Sequence, residues 1–288
     1  MKSPGLKWII LFALALIWGS SFILIKKGLI GLNPIQLGSF RIIFCAVFLL
    51  AVGFKSLKHI ASYQWKYIAI TSLFGTFIPA YLFALAETQV SSSICSILNS
   101  LTPLNTLLLG AFVFGLQFKR RQFLGVVIGL LGTLVLIFGG NTSAGGGNYY
   151  YAFLVLIATL CYATNVNLIK KYLSDVKPLS ITTGNFLVML VPALALLVLT
   201  DIRVKIALPE THHALLYVMV LGIIGTGVAN VIFYKLIQIS SPVFASSVTY
   251  LIPIVAFMWG MLDQETLMPL QLVGAFIILI GVYLANKK

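Results

Sequence analysis

A stripe of small polar residues runs along one apolar stretch of the chain. Ser92, Ser96, Asn99, Pro103 and Thr106 step by 4, 3, 4 and 3, the spacing that puts side chains on one face of an α-helix. A later stretch repeats the arrangement with Pro242, Ser246, Thr249 and Pro253. In hydrocarbon such a stripe either packs against a neighbouring helix or lines a wet cavity. The proline within each stripe favours the cavity, because it frees backbone carbonyls that then need partners. Two further pairs share a spacing of three: Trp18 with Ser21, and Tyr162 with Asn165. Asn167 falls on a different face, a packing position. Trp18 could be an interfacial anchor, but it lies about ten residues into its apolar block, deeper than a belt residue sits. Tyr81, Asn230 and Tyr234 complete the set. Singly, each is as consistent with packing as with binding. Together they describe a neutral cavity of rings, hydroxyls and amides, suited to stacking on and hydrogen-bonding a small polar solute.

One cation interrupts this neutrality. Arg41 lies roughly 10 Å from the start of its apolar block, counting about 1.5 Å per helical residue. A charge at that depth is a functional candidate: it could meet a substrate carboxylate, or snorkel to carbonyls at a helix end. The acids sit elsewhere, with Glu87, Asp175, Asp201, Glu210, Asp263 and Glu265 all near block ends or in loops. His59, His212 and His213 are in loops too, so neither a catalytic cluster nor a buried proton relay is visible. Cys45, Cys95 and Cys161 lie inside apolar blocks without metal-ligand spacing, so no disulfide, metal site or cofactor is expected. These absences argue against an enzyme.

What must position these residues is a membrane-spanning array. The 288 residues are 60% hydrophobic and only 9% charged, against about 25% charged in an ordinary soluble domain. Apolar blocks of about 20 residues match the length of a helix that crosses a bilayer. Ten such blocks are expected, near 8–26, 35–54, 65–85, 91–114, 122–139, 149–170, 178–200, 214–235, 241–262 and 268–285. Asn33-Pro34 and Lys177-Pro178 mark helix starts. The net charge of +13 is carried at block ends, where the membrane's charge rule explains it better than a nucleic-acid partner. Of the 19 Lys and Arg, Lys26, Lys27, Arg203 and Lys205 fall on one side and Arg41 within a block, leaving 14 on the other side. That asymmetry predicts cytoplasmic N- and C-termini.

The chain also repeats itself. Leu24-Ile25-Lys26-Lys27 returns as Leu168-Ile169-Lys170-Lys171 at an offset of 144. Gly75-Thr76, Phe83, Ser91, Pro103 and Gly110 return as Gly225-Thr226, Phe233, Ser241, Pro253 and Gly260 at an offset of 150. The expected division is a first repeat at 1–140, a Gly-rich linker at 141–148 and a second repeat at 149–288. Five helices per repeat is an odd number, so the second must be inverted relative to the first. The fold class is therefore an all-α membrane protein, ten transmembrane helices in two inverted five-helix repeats around a central cavity. Such a plan recurs in secondary transporters, with the substrate near the midplane. Gly125, Gly129 and Gly132, with Gly274 and Gly281, predict close packing of the fifth and tenth helices.

These features resemble the drug/metabolite transporter superfamily, in particular its EamA-type members. The residues that carry the resemblance are Ile17-Trp18-Gly19-Ser20-Ser21-Phe22, Phe40-Arg41, the stretches from Ser91 to Pro103 and from Ser241 to Pro253, and Asp263-Gln264-Glu265 with Gln271-Leu272-Val273-Gly274-Ala275. The family often carries a Glu after the fourth helix as well, where this chain has Gly115-Leu116-Gln117. The resemblance implies that helices 1, 3, 4, 6, 8 and 9 surround the pathway, and that the chain exports small organic metabolites, amino acids foremost, by alternating access around Pro103 and Pro253. Small multidrug-resistance relatives depend on a Glu in the first helix; Trp18-Gly19-Ser20-Ser21 stands there instead, so proton-coupled export of cationic drugs is not expected. Nucleosides, sugars or drugs are the alternative cargoes, and a passive channel, receptor or scaffold the alternative classes. The expected setting is a bacterial inner membrane, with a small-molecule substrate and lipid as partners and a monomer or homodimer as the assembly.

Overall fold

The computed structural model describes residues 5–90, 92–138, 150–205, 208–262 and 269–286, and every regular element among them is helical. The first half contains α1 (Leu6–Gly19), α2 (Ser21–Gly28), α3 (Pro34–Gly53), α4 (Trp65–Ser72), α5 (Ile78–Ala86), α6 (Ser92–Asn99), α7 (Thr102–Phe112) and α8 (Arg120–Phe138). The second contains α9 (Tyr150–Tyr172), α10 (Pro178–Val198), the short α11 (Ile202–Lys205), α12 (Pro209–Val220), α13 (Ala229–Ile239), α14 (Pro242–Ser246), α15 (Val248–Leu262) and α16 (Pro269–Asn286). The Gly-rich segment 141–148, Ser91 and Asp263-Gln264-Glu265 lie outside the described residues.

Six stretches among them are long and apolar enough to cross a bilayer: Leu6–Gly28, Pro34–His59, Ser62–Ala86, Tyr151–Tyr172, Pro178–Val198 and Pro209–Ile239. Of the remaining apolar helices, α6, α7, α14 and α15 pack against these stretches, while α8 and α16 pack chiefly against each other. The outward faces stay apolar, with Phe112, Val191, Leu199 and Phe276 all exposed, as a lipid-facing surface requires. The chain is a multi-pass membrane protein. Inside, Leu11, Leu14, Ile169 and Tyr250 belong to the largest buried apolar cluster.

Local chemistry sets the helix starts. At α3, Asn33 Oδ1 accepts from the Gln36 amide at 2.9 Å while the Asn33 amide donates to Gln36 Oε1 at 3.0 Å. This reciprocal pair satisfies two donors that a helix end leaves open. Pro34 and Pro178 occupy first-turn positions of α3 and α10, where a missing N–H costs nothing. The glycines foreseen as a packing seam perform that role between α8 and α16. A Cβ on Gly132 would lie 2.6 Å from the Ile278 nitrogen, and one on Gly281 would collide with the Gly129 backbone.

Several spans are interrupted where the sequence predicted continuous helices. α1 gives way to α2 at Ser20, whose hydroxyl donates to Leu16 O at 2.8 Å. The stretch 65–85 contains a π-helical segment, Leu73–Phe77, and the stretch 214–235 contains another, Leu221–Val228. Each includes one copy of the Gly-Thr pair. The apolar stretch 91–114 breaks between Asn99 and Thr102, and the stretch 241–262 at Ser247. A proline cannot donate to the carbonyl four residues back and clashes with it, and hydroxyls that bond their own backbone weaken the turn further.

Candidate functional site

A cavity lies in the middle of the molecule, walled by side chains from both halves. Its only cation among the described lining residues is Arg41, on α3. The Arg41 Nε donates to Thr226 Oγ1 at 2.8 Å, and the Thr226 hydroxyl donates in turn to Leu221 O at 2.9 Å. The π-helical turn around Thr226 thus holds the guanidinium by one edge. Among the described residues no carboxylate pairs with Arg41, and the side chain, which lines the cavity, makes no hydrogen bond through its other N–H donors.

The π segments shape the wall on both sides. Trp18 Nε1 donates to Gly225 O at 3.0 Å, a carbonyl within the widened turn, where regular i to i+4 pairing is interrupted. The glycines in these turns admit close neighbours. A Cβ on Gly225 would lie 2.9 Å from Ser21 Oγ, and one on Gly75 would lie 2.5 Å from the Asn165 amide group. Ser21 and Asn165 are themselves counterparts at the 144-residue offset. Thr76 and Thr226 both line the cavity. Thr226 is bonded as described, whereas Thr76 Oγ1 and Asn165 Oδ1 are buried without a hydrogen-bond partner.

The two stripes contribute from the other direction. Asn99 from α6, Ser246 from α14 and Thr249 from α15 reach the cavity. The carbonyls freed by the prolines are both satisfied by hydroxyls. Pro103 leaves Asn99 O, which accepts from Thr102 Oγ1 at 2.7 Å. Pro253 leaves Thr249 O, which lies 3.2 Å from Ser100 Oγ, a hydroxyl it shares with Ser96 O and the link between the two stripes. Both prolines are buried behind the wall. Aromatic surface comes from Trp18, Phe22, Phe83, Tyr162 and Phe233, and Asn230 adds an amide. Trp18 meets Phe233 edge-on at 4.9 Å between centroids, and Phe83 stacks near Tyr162 at 6.0 Å.

Three sequence candidates are placed away from the lining. Tyr81 shares a hydrogen bond of 3.0 Å with Ser39 and packs on Phe77. Tyr234 is buried against Asn185. Tyr81 follows a π segment, and one extra residue in a turn rotates the later face by about 100°; Tyr234 lies one turn beyond the lining Asn230 and is held in the core by Asn185. Ser96 is buried on α6, its carbonyl accepting from Ser100 Oγ at 3.2 Å. Thr106 is likewise sealed, and Asn167 packs as its face implied, donating to Thr106 O at 2.9 Å. Thr76, Thr102 and Thr226 line the cavity and were not singled out; the recurring Gly-Thr pair was the available signal for two of them.

The chain matches the model of the EamA-like transporter family twice, over residues 6–138 and 150–287. It is 29% identical to the "Uncharacterized inner membrane transporter YedA" of Escherichia coli strain K12, over 96% of this chain and 89% of that one. It is 26% identical to an "Uncharacterized transporter" of Archaeoglobus fulgidus, over 98% and 99% of the two chains. It is also 26% identical to the "Probable amino-acid metabolite efflux pump" of Salmonella typhimurium, over 93% and 90%. A solved crystal structure shares the fold with a TM-score of 0.75 at 17% identity, covering 96% of this chain and 95% of the other.

Proposed function

Because the chain belongs to the EamA-like transporter family, within the drug/metabolite transporter superfamily, we propose that it is a secondary transporter or facilitator that exports small organic metabolites, amino acids foremost, by alternating access. The observation that carries this reading is the Arg41 guanidinium, held on one edge by Thr226 and otherwise facing a cavity of amides and rings. A desolvated cation with open donors favours a carboxylate, which it can hold in two parallel hydrogen bonds. The unpartnered acceptors Asn165 Oδ1 and Thr76 Oγ1 suit the ammonium group of the same solute. Trp18, Tyr162 and Phe233 supply an apolar surface for its side chain.

The proposal includes ten membrane spans in two inverted repeats, with both termini cytoplasmic. Supporting it are the π segments that carry both Gly-Thr pairs, the reciprocal contacts of Ser21 with Gly225 and Asn165 with Gly75, and the charge asymmetry of the loops. Pro103 and Pro253 are assigned to gating, since each leaves its helix without one backbone bond. The relative named as an amino-acid metabolite efflux pump supports the substrate class and the outward direction.

The test is efflux from proteoliposomes loaded with a mixture of labelled amino acids, with and without an imposed pH gradient. Saturable loss of particular amino acids is the expected result. Loss no greater than from protein-free liposomes, using protein shown to be folded, removes amino acids and turns the assay to nucleosides and sugars. Loss that never saturates favours a channel.

A further inference from the structure

Glu87 follows the last residue of α5, one turn beyond Phe83, and its backbone N–H donates to Phe83 O at 3.0 Å. Residues four apart share a helix face, and Phe83 lines the cavity. The Glu87 carboxyl is therefore carried on the side of α5 that borders the cavity. Its Oε2 accepts from Ser92 Oγ at 2.9 Å, while Oε1 is sealed from solvent with no hydrogen-bond partner. The residue as a whole is partly exposed, and its chain neighbours Ala86 and Val90 belong, with Cys95 of α6, to an apolar cluster that includes the cavity-lining Phe22 and Phe83.

The charged and titratable groups that neighbouring elements bring to this cluster are few. Arg41 on α3 and Lys26 on α2 act on Glu87 as positive charges, and Cys95 faces it from α6. α9 contributes the phenols Tyr151 and Tyr162 at the cluster's edge. Burial pushes the Glu87 carboxyl up to about 8, against the lowering pull of the Ser92 hydrogen bond, Arg41 and Lys26. A position at a helix C-terminus works in the same direction as burial, since the helix dipole disfavours negative charge there.

We propose that Glu87 is a proton-binding site linked to the substrate site through Arg41. The linkage rests on the reading that Arg41 receives a carboxylate. With the cavity empty, the positive charge of Arg41 supports ionised Glu87. A carboxylate bound at Arg41 cancels that charge, so Glu87 takes up a proton from water as the anion enters. Reciprocity then requires that protonated Glu87 raise the affinity for the anion. Occupancy of the cavity becomes pH-dependent near neutrality although no acid stands among its described lining residues.

The carboxylic acid C=O stretch gives a direct test by infrared spectroscopy of the full chain in lipid nanodiscs. Without ligand, wild type should show a band that disappears as pH rises through about 8 and that is absent from Glu87→Gln. Arg41→Gln should move the midpoint upward by about one pH unit, as loss of a nearby positive charge does. Saturating L-leucine or L-phenylalanine should also raise it. A band unchanged between about pH 5 and 9.5, or one that persists in Glu87→Gln, overturns the proposal whatever the efflux assay gives. A midpoint that does not move in amino-acid-bound wild type, with binding read from Trp fluorescence, overturns the linkage. If neither amino acid binds, the amino-acid reading fails separately and Arg41→Gln decides: an unmoved midpoint removes the coupling. Thermal stability supplies a second readout. The folded chain binds this proton more tightly than the unfolded chain, so Glu87's contribution is complete at acid pH and declines as pH rises toward 8. Glu87→Gln should flatten that decline.

Discussion

Arg41 on α3 and Asn185 on α10 stand 144 residues apart, the offset that relates the two Leu-Ile-Lys-Lys copies, and their surroundings are opposite. Arg41 is half-buried and reaches across to Thr226 in the second half. Asn185 is sealed. In the amide orientation that satisfies both of its ends, its nitrogen lies 3.1 to 3.2 Å from the acceptors Thr71 Oγ1, Ile68 O and Ile181 O, and its oxygen accepts from the Tyr234 hydroxyl at 3.1 Å. The counterpart of Thr226 is Thr76, and Asn185 bonds Thr71 and Tyr234 instead, leaving Thr76 Oγ1 unpartnered. One position thus presents a charge to the cavity and the other closes a polar cluster in the core. Positions matched in sequence need not share a chemistry: one lines a cavity with a charge and the other braces the core.

Making the two positions alike should produce the largest effect. Asn185→Arg places a charge where nothing can neutralise it, at about 3 kcal/mol or more, and should nearly abolish the monodisperse protein seen by size-exclusion chromatography in detergent. Comparable yield would show that the sealed side can open. Arg41→Gln comes next, with saturable amino-acid efflux falling about tenfold or more while apparent Tm stays within a few degrees, since a charge-assisted contact to a carboxylate is lost. Arg41→Lys keeps the charge but not the fork, and should recover only part of the flux. Asn185→Leu should act on stability alone, costing about 1–3 kcal/mol for the abandoned Tyr234 and Thr71 groups, with flux per folded molecule preserved. A selective loss of flux would give Asn185 a role in the cycle. Smallest is Thr76→Val, which removes a buried hydroxyl that has no partner. Apparent Tm should hold or rise, while KM increases about two- to threefold for the loss of one neutral hydrogen bond. An unchanged KM removes Thr76 from the proposed ammonium contact.

Much of the cavity wall was legible because helical spacing is local information. The Trp18–Ser21 and Tyr162–Asn165 pairs and the residues Asn99, Ser246 and Thr249 reach the cavity as their faces predict. The depth of Trp18 distinguished it from an interfacial anchor, and its indole bonds a carbonyl in the π segment. Tyr81 shows where spacing stops being informative. A single widened turn upstream changes which way a side chain points, and nothing in the residue types around Gly75 or Gly225 demands that turn. Glu87 illustrates a different gap. Its place at a helix end was plain, but not that one carboxylate oxygen of a partly exposed residue is sealed without a hydrogen-bond partner.

The hydrogen bond from Ser100 to Thr249 O has a mechanical consequence. Each proline leaves a defect in its own helix, and at this point the defect of one helix is mended by a side chain of the other. Sliding or tilting the two apart strands a carbonyl in a poorly solvated interior until water, another hydroxyl or the cargo reaches it. Any separation of the pair therefore carries the cost of one unpaired carbonyl. The contact works as a latch on the arrangement seen here, so that a loss of register between the two broken helices is resisted from its first step.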